Sequence, residues 1–133
     1  MALTQLSHVN LRTADLDGLI GFYGEVLRLE LGWRPPFDFP GAWLYCGEHP
    51  VVHLVGETRP RAAEDPRLEH FAFAAEGLAE FLAHLRACKV AYWVRIVPGN
   101  EQRQVNFLDP DANHIHVDFD RSETADLSDY DGR

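Results

Sequence analysis

The 133-residue chain is 46% hydrophobic and 11% aromatic, which gives enough apolar volume for the core of one ordinary globular domain. Its formal net charge of −9 opposes binding to a polyanionic backbone, and no basic stripe compensates for that charge. Nucleic acid is therefore not expected as a partner. The first residues lack a charged leader, and no segment reaches the ~20 apolar residues of a membrane span. We expect a cytoplasmic protein that does not enter a membrane.

The first half of the chain predicts a strand, a helix and a hairpin. His8, Asn10 and Arg12 alternate with apolar residues, as in a strand with one buried face. A helical periodicity of apolar residues follows, and then two short runs typical of strands. The predicted elements are a strand at 6–12, a helix capped by Thr13 or Asp15 and running to about residue 28, and strands at 42–46 and 51–55.

The second half repeats this pattern after a charged, proline-containing linker at 57–67. Its predicted elements are a strand at 68–73, a helix over 78–85, a strand near 91–96, and strands at 103–108 and 113–119. His70 follows His8 by 62 residues and His116 follows His53 by 63, so equivalent histidines recur at equivalent places. We therefore predict one α+β domain, 1–119, of two modules at about 5–56 and 67–119. Residues 120–133 are acidic and unpatterned, and we expect a mobile tail there.

Four histidines occupy equivalent positions of the two modules. Two lie at first strands, His8 and His70, and two lie on last strands, His53 and His116. The apolar faces of these strands have partners in the two helices, so the faces that carry histidine are expected to look into a cup. A single strand histidine is usually an ordinary polar residue. Four at equivalent positions predict a site for a divalent transition metal, because neutral imidazole binds Zn²⁺, Ni²⁺ and Fe²⁺ well.

Other side chains share the predicted cup with the histidines. They are the candidate substrate-pocket residues Asn10, Arg12, Trp43, Tyr45, Gln104 and Asn106. Ordinary packing explains Trp43 and Tyr45 equally well, and an arginine at a strand edge is commonly solvated. His114 lies on the same strand face as His116, where it is either a hydrogen-bond donor to a metal ligand or an ordinary polar residue.

These segments together resemble the glyoxalase, fosfomycin-resistance and ring-cleaving dioxygenase superfamily, the vicinal oxygen chelate proteins. The resemblance rests on LSHVNLRTADLDGLIGFYGEVLRLELGW, LEHFAFAAEGLAEFLAHL and QVNFLDPDANHIHVDF, and it spans residues 5–119. It implies tandem βαβββ modules that form a curved, cup-like mixed sheet with helices on the outer face. It also maps the metal ligands onto His8, His53, His70 and His116. Such proteins often form homodimers, in which the ligands of one site can come from two chains.

The chain departs from the family pattern at the end of the second module. The family's DPDGN turn is followed by a metal-binding glutamate, whereas here Ala112 replaces the glycine and His116 takes the ligand position. In glyoxalase-like isomerisation that carboxylate accepts a proton, which a metal-bound histidine cannot do. A hydroxide at the metal, Glu101 or His114 could replace it. Without the carboxylate, Mn²⁺ and Mg²⁺ fit less well, which leaves Zn²⁺, Ni²⁺ and Fe²⁺.

The resemblance leaves three functions open. The first is a glyoxalase-like isomerase or lyase whose small substrate chelates the metal through vicinal oxygens. The second is an Fe²⁺-dependent extradiol-type dioxygenase, which ranks lower because the usual carboxylate ligand is missing. The third is a small-molecule or drug-binding protein of the bleomycin-resistance type, against which the four histidines argue, since such relatives typically lack a metal.

Overall fold

The computed structural model describes residues 1–2, 4–58 and 68–133, and the chain divides into two compact units, 1–64 and 65–133. Each unit contains a four-stranded mixed sheet and a helix, which confirms the predicted α+β class. The predicted linker lies, from residue 59 onward, outside the described residues. Where the structure describes the chain, neither helix has the length and apolar character needed to cross a membrane.

Unit 1 places its first strand beside its last one. Its elements are β1 Val9–Thr13, α1 Leu16–Leu27, β2 Glu30–Gly32, β3 Gly41–Cys46 and β4 His49–Gly56. The strand order is β1-β4-β3-β2, with β1 parallel to β4 and the other pairs antiparallel. Asp15 is the helix cap, because its carboxylate accepts a hydrogen bond from the Gly18 amide at 3.0 Å.

The core of unit 1 lies between α1 and one face of the sheet. Leu19, Tyr23 and Val26 are the buried positions of the helix, and each full burial of such a side chain contributes roughly 1.5–3 kcal/mol. On the sheet, Leu44 and Val52 are fully buried. Side chains alternate along a strand, so the neighbouring residues His53 and Trp43 project from the opposite face.

Unit 2 repeats this arrangement. Its elements are β5 Phe71–Ala74, α2 Leu78–Ala87, β6 Trp93–Ile96, β7 Arg103–Leu108 and β8 His114–Phe119. The order is β5-β8-β7-β6, and β5 and β8 form the parallel pair. Apolar residues of β7 and β8 and the inner face of α2 form the core, which leaves His114 and His116 on the other face of β8.

The β7–β8 turn holds a strained residue. Asp109 is buried, and its carboxylate accepts hydrogen bonds from the amides of Asp111 and Asn113 at 2.9 and 2.8 Å. Ala112 has a φ of +63°, a left-handed conformation that favours glycine.

We predict that Ala112→Gly stabilises the metal-free protein by about 1 kcal/mol in urea unfolding, because it removes this strain. The same exchange at Ala83, an exposed residue inside α2, should destabilise it by about 1 kcal/mol. If both substitutions changed the free energy of unfolding in the same direction, strain at the turn would be contradicted.

The C-terminal segment, residues 120–133, for which mobility stays a prediction, makes contacts with the rest of unit 2. The Glu123 carboxylate accepts hydrogen bonds from the amides of Gly77 and Leu78 at the start of α2, at 2.9 and 2.8 Å. Tyr130 pairs through its backbone with Tyr92. These contacts involve single side chains and backbone groups, so they leave no apolar periodicity in the sequence.

Candidate metal centre

In unit 1, His8 and His53 lie against each other. His8 immediately precedes β1, and His53 lies on β4 with only 8% of its surface exposed. Their rings stack with centroids 3.8 Å apart, and Trp43 stacks on His53 at 4.0 Å. The Nε2–H of His53 donates to the Pro50 carbonyl at 3.1 Å, so its Nδ1 keeps a lone pair. The structure thus brings together the two predicted ligands of this module.

Burial lowers the pKa of His53 below its ordinary value of 6.5, and the neighbouring charge of His8 lowers it further, against a raising effect of the Pro50 hydrogen bond. Just below pH 6.5 the unfolded chain therefore binds more protons than the folded one. We predict that the free energy of unfolding of the metal-free protein rises with pH through this range. In NMR titrations His53 should titrate below 6.5, and His8→Ala should raise its pKa. A wild-type pKa above 6.5 would contradict this environment.

In unit 2, three histidine rings lie together. His70 immediately precedes β5, and its ring centroid lies 4.6 Å from that of His116 and 5.3 Å from that of His114. His116 is buried, and its Nδ1–H donates to Asp118 Oδ1 at 2.6 Å. This bond orients the ring and leaves Nε2 as the atom that could bind a metal, as in the carboxylate–histidine pairs common at metals.

Glu69 joins this cluster, although it was not among the residues selected from the sequence. Ligand atoms of Glu69, His70 and His114 all lie within 4.8 Å of one another. A hydrogen bond to His70 holds the pKa of the Glu69 carboxyl below its usual range, with further contributions from His114. In the sequence, Glu69 is one acidic residue within the predicted strand 68–73. The single usable signal was its place next to a repeated histidine.

Asn106 fixes the orientation of His114. Asn106 is 3% exposed, and its Nδ2 donates to the Gln104 carbonyl at 3.2 Å, so its Oδ1 faces His114 Nε2 at 2.9 Å. The predicted pocket residue Gln104 therefore contributes here through its backbone. Trp93 stacks on His114 with centroids 5.3 Å apart, a contact that the sequence did not suggest.

Glu101, the other predicted proton acceptor, is not brought to the histidines. Its carboxylate lies 3.9 Å from the Arg121 guanidinium, and it precedes the end of β7 that pairs with Phe119. His114 pairs with Leu108 at the opposite end of that strand. The strand has six residues, so its two ends lie roughly 17 Å apart. Its role as a base stays a prediction.

The predicted pocket residues of unit 1 have different surroundings. Asn10 and Arg12 line an open cavity of about 480 Å³ together with Phe39 and Val55, which the sequence did not single out. Register places Asn10 beside His53, so this cavity adjoins the histidine pair.

Two of these pocket residues already have partners. Arg12 lies 4.0 Å from Glu57 with most of its side chain exposed. The Tyr45 hydroxyl donates to the Trp33 carbonyl at 2.6 Å, which indicates a structural role.

Comparisons with known proteins agree with the fold. A family model described as the Glyoxalase/Bleomycin resistance protein/Dioxygenase superfamily matches residues 5–117. A putative glyoxalase family protein from Bacillus anthracis is similar with a TM-score of 0.75 and 20% identity, over 90% of this chain and 98% of that one.

Two further solved structures are similar over nearly their whole length. Lactoylglutathione lyase from Agrobacterium tumefaciens gives a TM-score of 0.66 and 20% identity, over 91% and 97% of the two chains. The fosfomycin resistance protein FosX from Listeria monocytogenes gives 0.66 and 17%, over 89% and 94%. No curated protein sequence matches the chain.

Proposed function

The chain belongs to the glyoxalase/bleomycin resistance protein/dioxygenase superfamily, and we propose that it is a metal-dependent enzyme acting on a small substrate with vicinal oxygens. One observation carries the proposal. In each unit the last-strand histidine lies against the first-strand histidine, with ring centroids 3.8 Å apart in unit 1 and 4.6 Å apart in unit 2. We accordingly propose His8, His53, His70 and His116 as metal ligands.

Imidazole nitrogens are donors that suit a divalent transition metal, and the stacked rings of His8 and His53 would have to turn for their lone pairs to meet at one ion. His53 and His116 are both buried, and each has one ring nitrogen bonded to a protein oxygen, the Pro50 carbonyl or the Asp118 carboxylate. In the neutral ring the other nitrogen then holds the lone pair that binds Zn²⁺, Ni²⁺ or Fe²⁺. A bound metal would act as a Lewis acid that polarises substrate oxygens.

The remaining proposed roles belong to the chain itself. Arg12 borders the cavity beside His53 and could hold an anionic group of the substrate. Trp43 covers one face of His53 and restricts water there. Glyoxalase-type isomerisation or lyase chemistry also needs a proton acceptor, and Glu101 and His114 remain the predicted ones. Of these, His114 lies within the cluster.

Activity before and after metal removal tests the proposal. We expect metal-loaded protein to turn over a 2-oxoaldehyde or its thiol conjugate, to lose activity with chelator and to regain it on reloading. Oxygen consumption with a catechol panel and Fe²⁺ would instead support the dioxygenase alternative. Tight binding of aromatic ligands by metal-free protein, with no turnover under any metal, would contradict an enzyme and favour a drug-binding function.

We also propose a homodimer, since superfamily members often form dimers. Sedimentation equilibrium should then give twice the 15.1 kDa of the chain, and dissociation should release metal if ligands are shared. A 15.1 kDa species that retains its metal would contradict sharing.

A further inference from the structure

We propose that Glu69, His70 and His114 bind a divalent cation as a two-histidine, one-carboxylate set. The assignment rests on the proposed metal-dependent function but changes its ligands, since Glu69 and His114 are not positions that the family pattern selects. All three residues belong to unit 2, and their ligand atoms lie within 4.8 Å of one another.

The hydrogen-bond chain behind His114 determines which of its nitrogens can bind. Because Asn106 donates to the Gln104 carbonyl, its side-chain oxygen is the atom that meets His114 Nε2 at 2.9 Å. An amide oxygen only accepts, so Nε2 carries the hydrogen. In the neutral ring, Nδ1 then holds the lone pair.

One carboxylate meets both histidines. His114 Nδ1 lies 3.3 Å from Glu69 Oε1, and the other carboxylate oxygen contacts His70 Nδ1. Each oxygen of Glu69 thus faces one ring nitrogen, and imidazole nitrogens and carboxylate oxygens gathered in this way are the donors that a divalent cation uses.

Buried groups hold the His114 ring in place. Asn106 is almost fully buried, Trp93 stacks on the His114 ring, and the His114 side chain is 21% exposed. By contrast, the Glu69 side chain is 74% exposed, so it can move to meet an ion without disturbing the core. A supported His114 with an adjustable carboxylate fits a ligand that arrives from solvent.

The carboxylate also alters the metal that the protein should prefer. A set of two histidines and one carboxylate with open positions is typical of Fe²⁺ sites, and a carboxylate ligand admits Mn²⁺ as well. The repeat-equivalent residue in unit 1 is Ser7, whose hydroxyl contacts His8 at 3.1 Å. The set of two histidines and one carboxylate is thus specific to the second module. Its Glu69 supplies a carboxylate, which the family pattern has on the last strand, where this chain has His116.

Mn²⁺ binding to full-length protein tests the set, measured by the loss of the free-ion EPR signal at pH 8, where few imidazoles are protonated. Glu69→Gln keeps shape and removes charge, and it should weaken Mn²⁺ binding at least ~10-fold. His114→Gln should do the same. Glu76→Gln, an identical exchange at an exposed residue of unit 2, should leave affinity unchanged. Thermal unfolding of metal-free variants checks folding, and if His114→Gln fails to fold, Glu69→Gln alone decides.

The outcomes separate this inference from the proposed function. If both variants bind Mn²⁺ like wild type while His116→Ala does not, the set is overturned and the proposed histidine ligands stand. Wild-type affinity in all of these variants would show that the Glu69–His114 contact is an ordinary hydrogen bond, which likewise overturns the set. If wild type binds neither Mn²⁺ nor another divalent metal, the set and the proposed function both fail.

Discussion

Replacing His116 with alanine is expected to release a metal that the four histidines hold. His116 is buried, and its Nδ1–H donates to Asp118, which leaves Nε2 as its metal-binding atom. Loss of a ligand should lower the affinity by more than the ~10–100-fold that loss of an outer partner costs. Competition with a chromophoric chelator would measure the change for Zn²⁺ and Co²⁺.

His49→Ala is the matched control for this prediction. His49 is an exposed histidine at the start of β4, and it contacts none of the proposed ligands among the contacts described. Its removal should leave affinity and metal content at wild-type levels. Equal affinities for His116→Ala and His49→Ala would show that His116 is an ordinary buried histidine.

Truncating Asp118 should weaken metal binding without removing any ligand. Asp118 lies on β8, two residues beyond His116, and its carboxylate accepts the His116 Nδ1–H at 2.6 Å. Without this acceptor the imidazole loses its fixed orientation and tautomer, so Asp118→Ala should lower affinity by ~10–100-fold. Isothermal titration with Zn²⁺ would give the value.

A graded response distinguishes orientation from general damage. Asp118→Asn retains an oxygen acceptor but no charge, so it should lose less affinity than Asp118→Ala. Metal-free unfolding of both variants measures the loss of stability separately, because the Asp118 side chain is only 18% exposed and its removal leaves the buried His116 Nδ1–H without this acceptor. Equal affinity losses in the two variants would count against a positioning role for Asp118.

The helices and strands that have a buried face could be predicted from the sequence. Strand β7 has the predicted bounds, and β8 begins one residue later than expected. Both alternate between core side chains and the histidine face. Helix α1 begins at one of the two caps expected. The family resemblance is confirmed by the match over residues 5–117.

Segments without a buried apolar face could not be predicted from the sequence. Strand β2, Glu30–Gly32, was not predicted because its three residues are exposed and it pairs with β3 through its backbone. The segment 120–133 was expected to be mobile because it is acidic and unpatterned, and its contacts depend on single residues such as Glu123. In both cases the stabilising groups leave no periodicity in the sequence.

The histidine cluster was predicted in part, for a similar reason. The repeat selected His70 and His116, which the structure places together. It could not select Glu69, since module 1 has serine at that position. The expectation of Glu101 as a base overlooked the predicted hairpin of β7 and β8, in which Glu101 and His114 lie at opposite ends of β7.

Metal content of the untagged full-length protein tests the central claim most directly. After reconstitution with Zn²⁺, Fe²⁺ or Mn²⁺ and gel filtration, mass spectrometry of the native protein should find close to one transition-metal ion per chain. That result would establish the metal on which both the proposed reaction and the Glu69 assignment depend. Protein that remains metal-free under every condition would contradict the account and place the drug-binding function first.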